Sequence, residues 1–151
     1  MMLISACLMG ETCRYDGRHN LIPDLKEKVD KEALLCCPEV LGGLSTPRVP
    51  AEIVGGTAAD VLDGQAQIRT KTGEDVTAAF LEGAYGVLEL AKENQVSVAI
   101  LKENSPSCGS FFVYDGTFSG IKVQGAGLTT TLLRRHGIAV YSEKNFKKVL
   151  P

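Results

Sequence analysis

The chain has 151 residues, 44% of them hydrophobic and 23% charged, so bulk disorder is excluded and one ordinary domain is expected over residues 1–151. Sixteen Lys and Arg stand against eighteen Asp and Glu, a formal charge of −2. That lacks the basic excess needed to track a phosphate backbone, which excludes long nucleic acid as a partner but not a small nucleobase or nucleoside.

The first apolar run, residues 3–7, reads as a buried strand. Residues 24–33 have a short helical pattern, and 34–37 form a second buried run. The Gly- and Pro-rich segment 42–56 reads as a long loop, of the kind that is often functional. Residues 59–70, with Asp63-Gly64 at the centre, fit a weak hairpin. Val76, Phe80, Gly83, Ala84, Val87, Leu88 and Ala91 repeat at helical spacing behind Asp75 as N-cap. Residues 96–101 are a third buried strand. Residues 111–118 place Asp115-Gly116 between aromatic-rich arms, a hairpin signal. A helix over 128–136 ends in Arg134-Arg135-His136-Gly137, basic residues and then glycine as helix C-termini prefer. A fourth strand covers 138–141. Doubly buried strands separated by helices predict an α/β fold: a three-layer, Rossmann-like sandwich with a mainly parallel sheet of four to five strands, plus one or two small hairpins.

The N-terminus has no basic segment and too short an apolar run for a signal peptide. No uninterrupted apolar stretch approaches the roughly 18 residues of a membrane span. A cytoplasmic protein without membrane contact is expected. Its five cysteines are then metal ligands, catalysts or core packing rather than a disulfide framework. Cys7 ends the first strand, Cys37 ends the second, and Cys108 lies in the loop after the third. In an open parallel sheet those positions converge at the carboxyl edge, where ligands bind. Pro38 holds Cys37 extended, and Ser105-Pro106-Ser107-Cys108-Gly109 makes a tight turn. Cys36 points to the opposite face from Cys37 and reads as packing; Cys13 is undecided. Three thiolates without a histidine suit a soft metal site, either zinc or an iron–sulfur cluster.

Particular motifs go further. Ser5-Ala6-Cys7-Leu8-Met9-Gly10 with Cys13-Arg14-Tyr15-Asp16-Gly17, then Cys37-Pro38-Glu39-Val40 with Gly42-Gly43-Leu44, begin a pattern that spans nearly the whole chain. It continues through Pro47-Arg48, Pro50-Ala51-Glu52, Gly73-Glu74-Asp75-Val76-Thr77, Leu101-Lys102-Glu103, Ser105-Pro106-Ser107-Cys108-Gly109, Tyr114-Asp115-Gly116 and Gly125-Ala126-Gly127. It resembles a bacterial family long catalogued as a domain of unknown function and similar to the iron–sulfur thiouracil desulfidases. The resemblance implies a [4Fe–4S] cluster held by Cys7, Cys37 and Cys108, with one open iron to take a thiocarbonyl sulfur. It also implies Glu39 and Ser105 as catalytic residues assisting proton transfer. The expected enzyme is a non-redox desulfidase that converts a small thiolated nucleobase, or a related thioamide, to the oxo form and hydrosulfide.

The chemistry is coherent from below. Hydrosulfide leaves a thiocarbonyl carbon more readily when iron binds it, and a carboxyl beside a negative cluster is expected to have a raised pKa, suiting Glu39 to proton exchange. Arg48 and Lys102 are candidate substrate contacts. The plainer readings are a solvated carboxylate at Glu39, a turn cap at Ser105, an exposed strand end at Lys102 and an Arg48–Glu52 pair that orders the loop. His19 and His136 read as surface residues. A rival class is a non-catalytic iron–sulfur or zinc module that senses redox state or carries sulfur, for which Glu39 and Ser105 would be unnecessary. Metal-free cysteine catalysis is weakened by the lack of an activating histidine.

Overall fold

The computed structural model describes residues 1–29 and 32–150. Strands β1 (Met2–Ser5), β2 (Leu34–Cys36), β5 (Val98–Leu101) and β8 (Ala139–Ser142) form one sheet. Their order is β2-β1-β5-β8 and every pairing is parallel. Side-chain alternation divides the apolar strands between two cores. Leu3, Ala99, Leu101 and Val140 pack beneath α4 (Thr77–Glu93) and α5 (Leu128–Arg135). Ile4 and Ile100 face the other way, against Leu8, Leu25 and Phe146, so the expected three layers are present. The short α1 (Pro23–Lys28) lies on this second side. Among the described residues no helix is long and apolar enough to cross a membrane.

Several boundaries differ from the sequence reading. The first two strands stop short of Cys7 and Cys37, which fall in a 3-10 turn (Ala6–Met9) and at the extended residue before α2 (Pro38–Leu41). The helix expected over 24–33 begins at Pro23 and ends at Lys28, because Val29 is extended; Asp30 and Lys31 lie outside the described residues. The loop expected over 42–56 contains β3 (Ala51–Val54), which pairs antiparallel with β4 (Gln67–Thr70). Between them stands α3 (Ala58–Leu62), not the turn of a hairpin centred on Asp63-Gly64. A capping box explains this: Thr57 Oγ1 accepts from the Asp60 N–H, and Asp60 Oδ2 accepts from the Thr57 N–H. The hairpin expected over 111–118 exists, but its arms are β6 (Phe112–Tyr114) and β7 (Lys122–Gln124). Asp115-Gly116 only opens a longer connection. Asp75 caps α4 from one residue further out, its carboxylate accepting from the Thr77 N–H and hydroxyl.

Two features of the fold place the site. The strand order reverses about β1, so the crevice beyond the carboxyl ends of β1 and β5 is the topological switch point of the sheet. There the Lys102 N–H donates to Ser5 Oγ at 3.0 Å and ties the two strand ends together. The second feature is backbone contact between α2 and α4. A Cβ at Gly83 would overlap the Pro38 carbonyl oxygen, and one at Gly42 would overlap the Ala79 carbonyl oxygen. Only glycine at both positions lets α2 settle this closely, and α2 carries Glu39 immediately after Cys37.

Candidate active site

A cleft of about 970 Å³ opens at this edge, at the upper end of the usual range for ligand pockets. Cys7, Cys37 and Cys108 all line it, as do Glu39, Arg48, Lys102 and Ser105. The sequence-predicted residues therefore come together from three chain segments. Cys13 and Cys36 also reach the cleft. Cys36 is chiefly a core residue, packed in the cluster that contains Leu3 and Cys108.

The thiols differ in their surroundings. A hydrogen bond from the Cys13 thiol lowers the pKa of Cys7 to about 7; Asn20 and the Lys102 charge assist, while burial and Glu39 oppose. The Asn20 amide donates to Cys7 Sγ at 3.5 Å. Cys37 is lowered for the same first reason, the Cys13 thiol, with the Val40 N–H and Arg48 assisting. Cys13, between these two thiols, is itself driven up, first by Cys37 and then by Cys7. Burial pushes Cys36 up to about 12. Burial also raises Cys108, and the charges of Glu39, Cys36, Cys37 and Cys7 add to the effect. The cleft thus lowers the Cys7 and Cys37 thiols and raises Cys108.

Glu39 joins two cysteine segments. Its Oε1 accepts from Ser105 Oγ at 3.1 Å and its Oε2 from the Cys37 thiol at 3.3 Å. Ser105 Oγ accepts in turn from the Ser107 and Cys108 N–H groups, at 3.0 and 3.1 Å. Its single proton and both lone pairs are occupied, so Ser105 is at once a turn cap and the partner of Glu39. Glu39 is 9% exposed, which corrects the alternative of a solvated loop carboxylate. Arg48 Nη2 donates to the Cys13 carbonyl at 3.1 Å and lies 4.0 Å from Glu39 Oε2. Among the described residues it makes no ion pair with Glu52, whose Oε1 instead accepts from Gly116 and Phe118. Lys102 Nζ is held by Glu143 Oε2 at 2.7 Å and by the Glu103 carbonyl at 3.0 Å, so its charge is compensated by a residue the sequence did not single out.

Glu103 secures the Cys108 turn from behind. Its carboxylate, only 4% exposed, accepts from the N–H groups of Ser110, Phe111 and Phe112 and from Ser110 Oγ. Burial works against its charge, but the Ser110 hydroxyl and these N–H groups prevail and lower its pKa from 4.5 to about 2. A carboxylate depressed by folding stabilises the protein fully above 4.5 and loses that contribution as pH falls toward about 2. Glu103→Gln is therefore expected to destabilise the protein by roughly 3 kcal/mol at neutral pH. Urea unfolding across this acid range should show a flatter stability profile in the variant; parallel profiles would refute the assignment.

The donor set fits a thiolate-bound cluster: all five cysteines reach one cleft, Cys7, Cys37 and Cys108 among them, with a side-chain N–H directed at one sulfur and no histidine among the cleft-lining residues. Among the described residues no three His, Cys, Asp or Glu side chains are grouped to share a single metal ion. Cysteines that each take a separate iron of a cluster do not require such grouping. Of the polar groups at the site, Asn20 and Glu143 carried no signal in the sequence. Cys13 had one, its position six residues after Cys7 and just before the Asp16-Gly17 turn.

Comparison with known proteins gives concordant matches. The model of the 2-thiouracil desulfurase family matches residues 2–145. The chain is 54% identical to the uncharacterized protein YbbK of Bacillus subtilis (strain 168), over 99% of this chain and all of that one. In structure it is similar to the [4Fe-4S]-dependent thiouracil desulfidase TudS, with a TM-score of 0.85 and 43% identity over 98% of this chain and 93% of that chain.

Proposed function

The chain belongs to the 2-thiouracil desulfurase family, and from that premise we propose that it is a non-redox desulfidase: it hydrolyses the C–S bond of a thiolated nucleobase with a [4Fe–4S] cluster held by Cys7, Cys37 and Cys108. The observation that carries this reading is the Glu39–Ser105 hydrogen bond at 3.1 Å, which sets a carboxylate among the three cysteine segments. A sensor or sulfur carrier has no use for that carboxylate. When bound, a cluster with three protein thiolates supplies one iron free to act as a Lewis acid toward the substrate sulfur.

The chain's own residues perform the rest. Were Cys37 to hold the cluster it would do so as the thiolate, and its S–H would no longer donate to Glu39 Oε2. Ser105 still holds Oε1, and Oε2 is left to exchange protons within the cleft. Water forms the new C–O bond, the C–S bond breaks, and sulfur leaves as hydrosulfide. Glu39 accepts a proton as the water attacks and returns it to the departing sulfur or to the ring nitrogen. Thiocarbonyl and water become carbonyl and hydrogen sulfide, with no change in electron count. Arg48 and Lys102, both on the cleft wall, are the candidate polar contacts for the substrate, with Lys102 held in place by its ion pair to Glu143. Turnover of 2-thiouracil in ¹⁸O-labelled water should place the label in uracil without consuming reductant; a requirement for stoichiometric reductant would rule out the hydrolytic route.

A further inference from the structure

The cleft has an aromatic wall for which the proton chemistry gives no role. The connection from Asp115 to Ile121 crosses from β6 to β7 and brings Phe118 and Tyr114 to the cleft. Phe118 has φ +57, a left-handed conformation uncommon for a non-glycine residue and an outlier for a bulky one. Specific contacts hold it there. Glu52, on β3 and 8% exposed, accepts from the Gly116 N–H at 2.9 Å and the Phe118 N–H at 3.3 Å through one oxygen. Gly116 is seated so closely on β3 that a Cβ would come 2.5 Å from the Ile53 carbonyl oxygen. Asp115 Oδ1 closes the turn by accepting from the Thr117 N–H and hydroxyl.

Folding stability does not account for this arrangement. A strained backbone costs of order 1–3 kcal/mol, and Phe118 remains only half-buried, so its ring yields less than full burial would. Strain maintained by a buried carboxylate at the edge of a ligand cleft is of the kind that fixes a binding residue. A rigid ring at such a wall offers a π-face to a flat heteroaromatic ligand. We propose that Phe118, positioned by Glu52, is the stacking platform that selects a planar nucleobase ring for this site. The inference rests on the thiolated-base reading above and adds the residue that recognises the ring.

The chain contains no tryptophan, so Phe118→Trp introduces a single indole at the proposed platform. Titration with uracil, the oxo product, should quench its emission saturably. The same titration of Tyr85→Trp, at a residue 52% exposed on α4, should not. By calorimetry, Phe118→Leu should weaken uracil binding by about 5- to 150-fold. It should raise KM for 2-thiouracil correspondingly, with kcat and iron content within about twofold of the parent. Phe118→Tyr, which keeps the ring, should restore binding even if the leucine variant folds poorly. Unchanged uracil affinity in a folded Phe118→Leu, or absence of quenching at position 118, overturns the proposal. Saturable quenching at 118 in a protein that releases no sulfide from 2-thiouracil would uphold the platform and reject the desulfidase reading. Turnover by the parent with no effect of Phe118→Leu would do the reverse.

Discussion

Cys108→Ala should give a folded, colourless protein without activity, its iron content falling from about four per chain to below one. The thiol is 3% exposed and packs in the core cluster, so truncation removes one small side chain from that core, an expected cost of about 1–2 kcal/mol. Function fares differently under the proposed ligation, because Cys7 and Cys37 alone would leave the cluster one protein ligand short. Cys36→Ala is the matched comparison. It lies in the same core cluster and also reaches the cleft, yet it should keep iron, colour and turnover at a similar cost in stability. Iron analysis, visible absorbance and thermal unfolding on the pair separate ligation from packing. A brown, active Cys108→Ala or a colourless Cys36→Ala would reverse the ligand assignment.

Glu39→Gln should lower kcat by about 10²- to 10⁴-fold, the usual contribution of a positioned acid–base group, while iron content stays at the parent level. The amide preserves the volume of the side chain, and its oxygen can still accept from Ser105 Oγ, so the Cys108 turn keeps its connection to α2. What the amide cannot do is take a proton and return it. Loss of activity with the cluster intact would assign Glu39 to the chemistry. Full turnover in an iron-replete Glu39→Gln would remove the main reason for preferring a catalyst over a sensor or sulfur carrier.

The outline of this fold was legible because its strands are buried on both faces and its longest helix is strongly periodic. Four short apolar runs became the four parallel strands, and the repeat from Val76 to Ala91 became α4. The misread segment was the one where local signals compete. Asp63-Gly64 advertises a turn, but Thr57 and Asp60 cap one another and begin a helix, while the strand partner of β4 was hidden in a Gly- and Pro-rich stretch. At the site, the topology of a parallel sheet put the segments of Cys7, Cys37 and Cys108 at one edge of the sheet, and all three residues line the cleft there. The partners were not legible. Pairing Lys102 with Glu143 and Glu52 with the Phe118 loop depends on which chain ends the sheet brings together, information that spacing does not contain. Cys13 was undecided because nothing local distinguishes a packed thiol from one that interacts with Cys7 and Cys37.

The central claim, a three-cysteine cluster that hydrolyses thiolated bases, is tested most directly by sulfide release as a function of iron loading. Protein reconstituted anaerobically to graded iron contents should release sulfide from 2-thiouracil in proportion to bound iron, reaching full activity at about four irons per chain, with one uracil formed for each sulfide. Turnover by iron-free protein, or a fully loaded protein that releases no sulfide from 2-thiouracil, would contradict it.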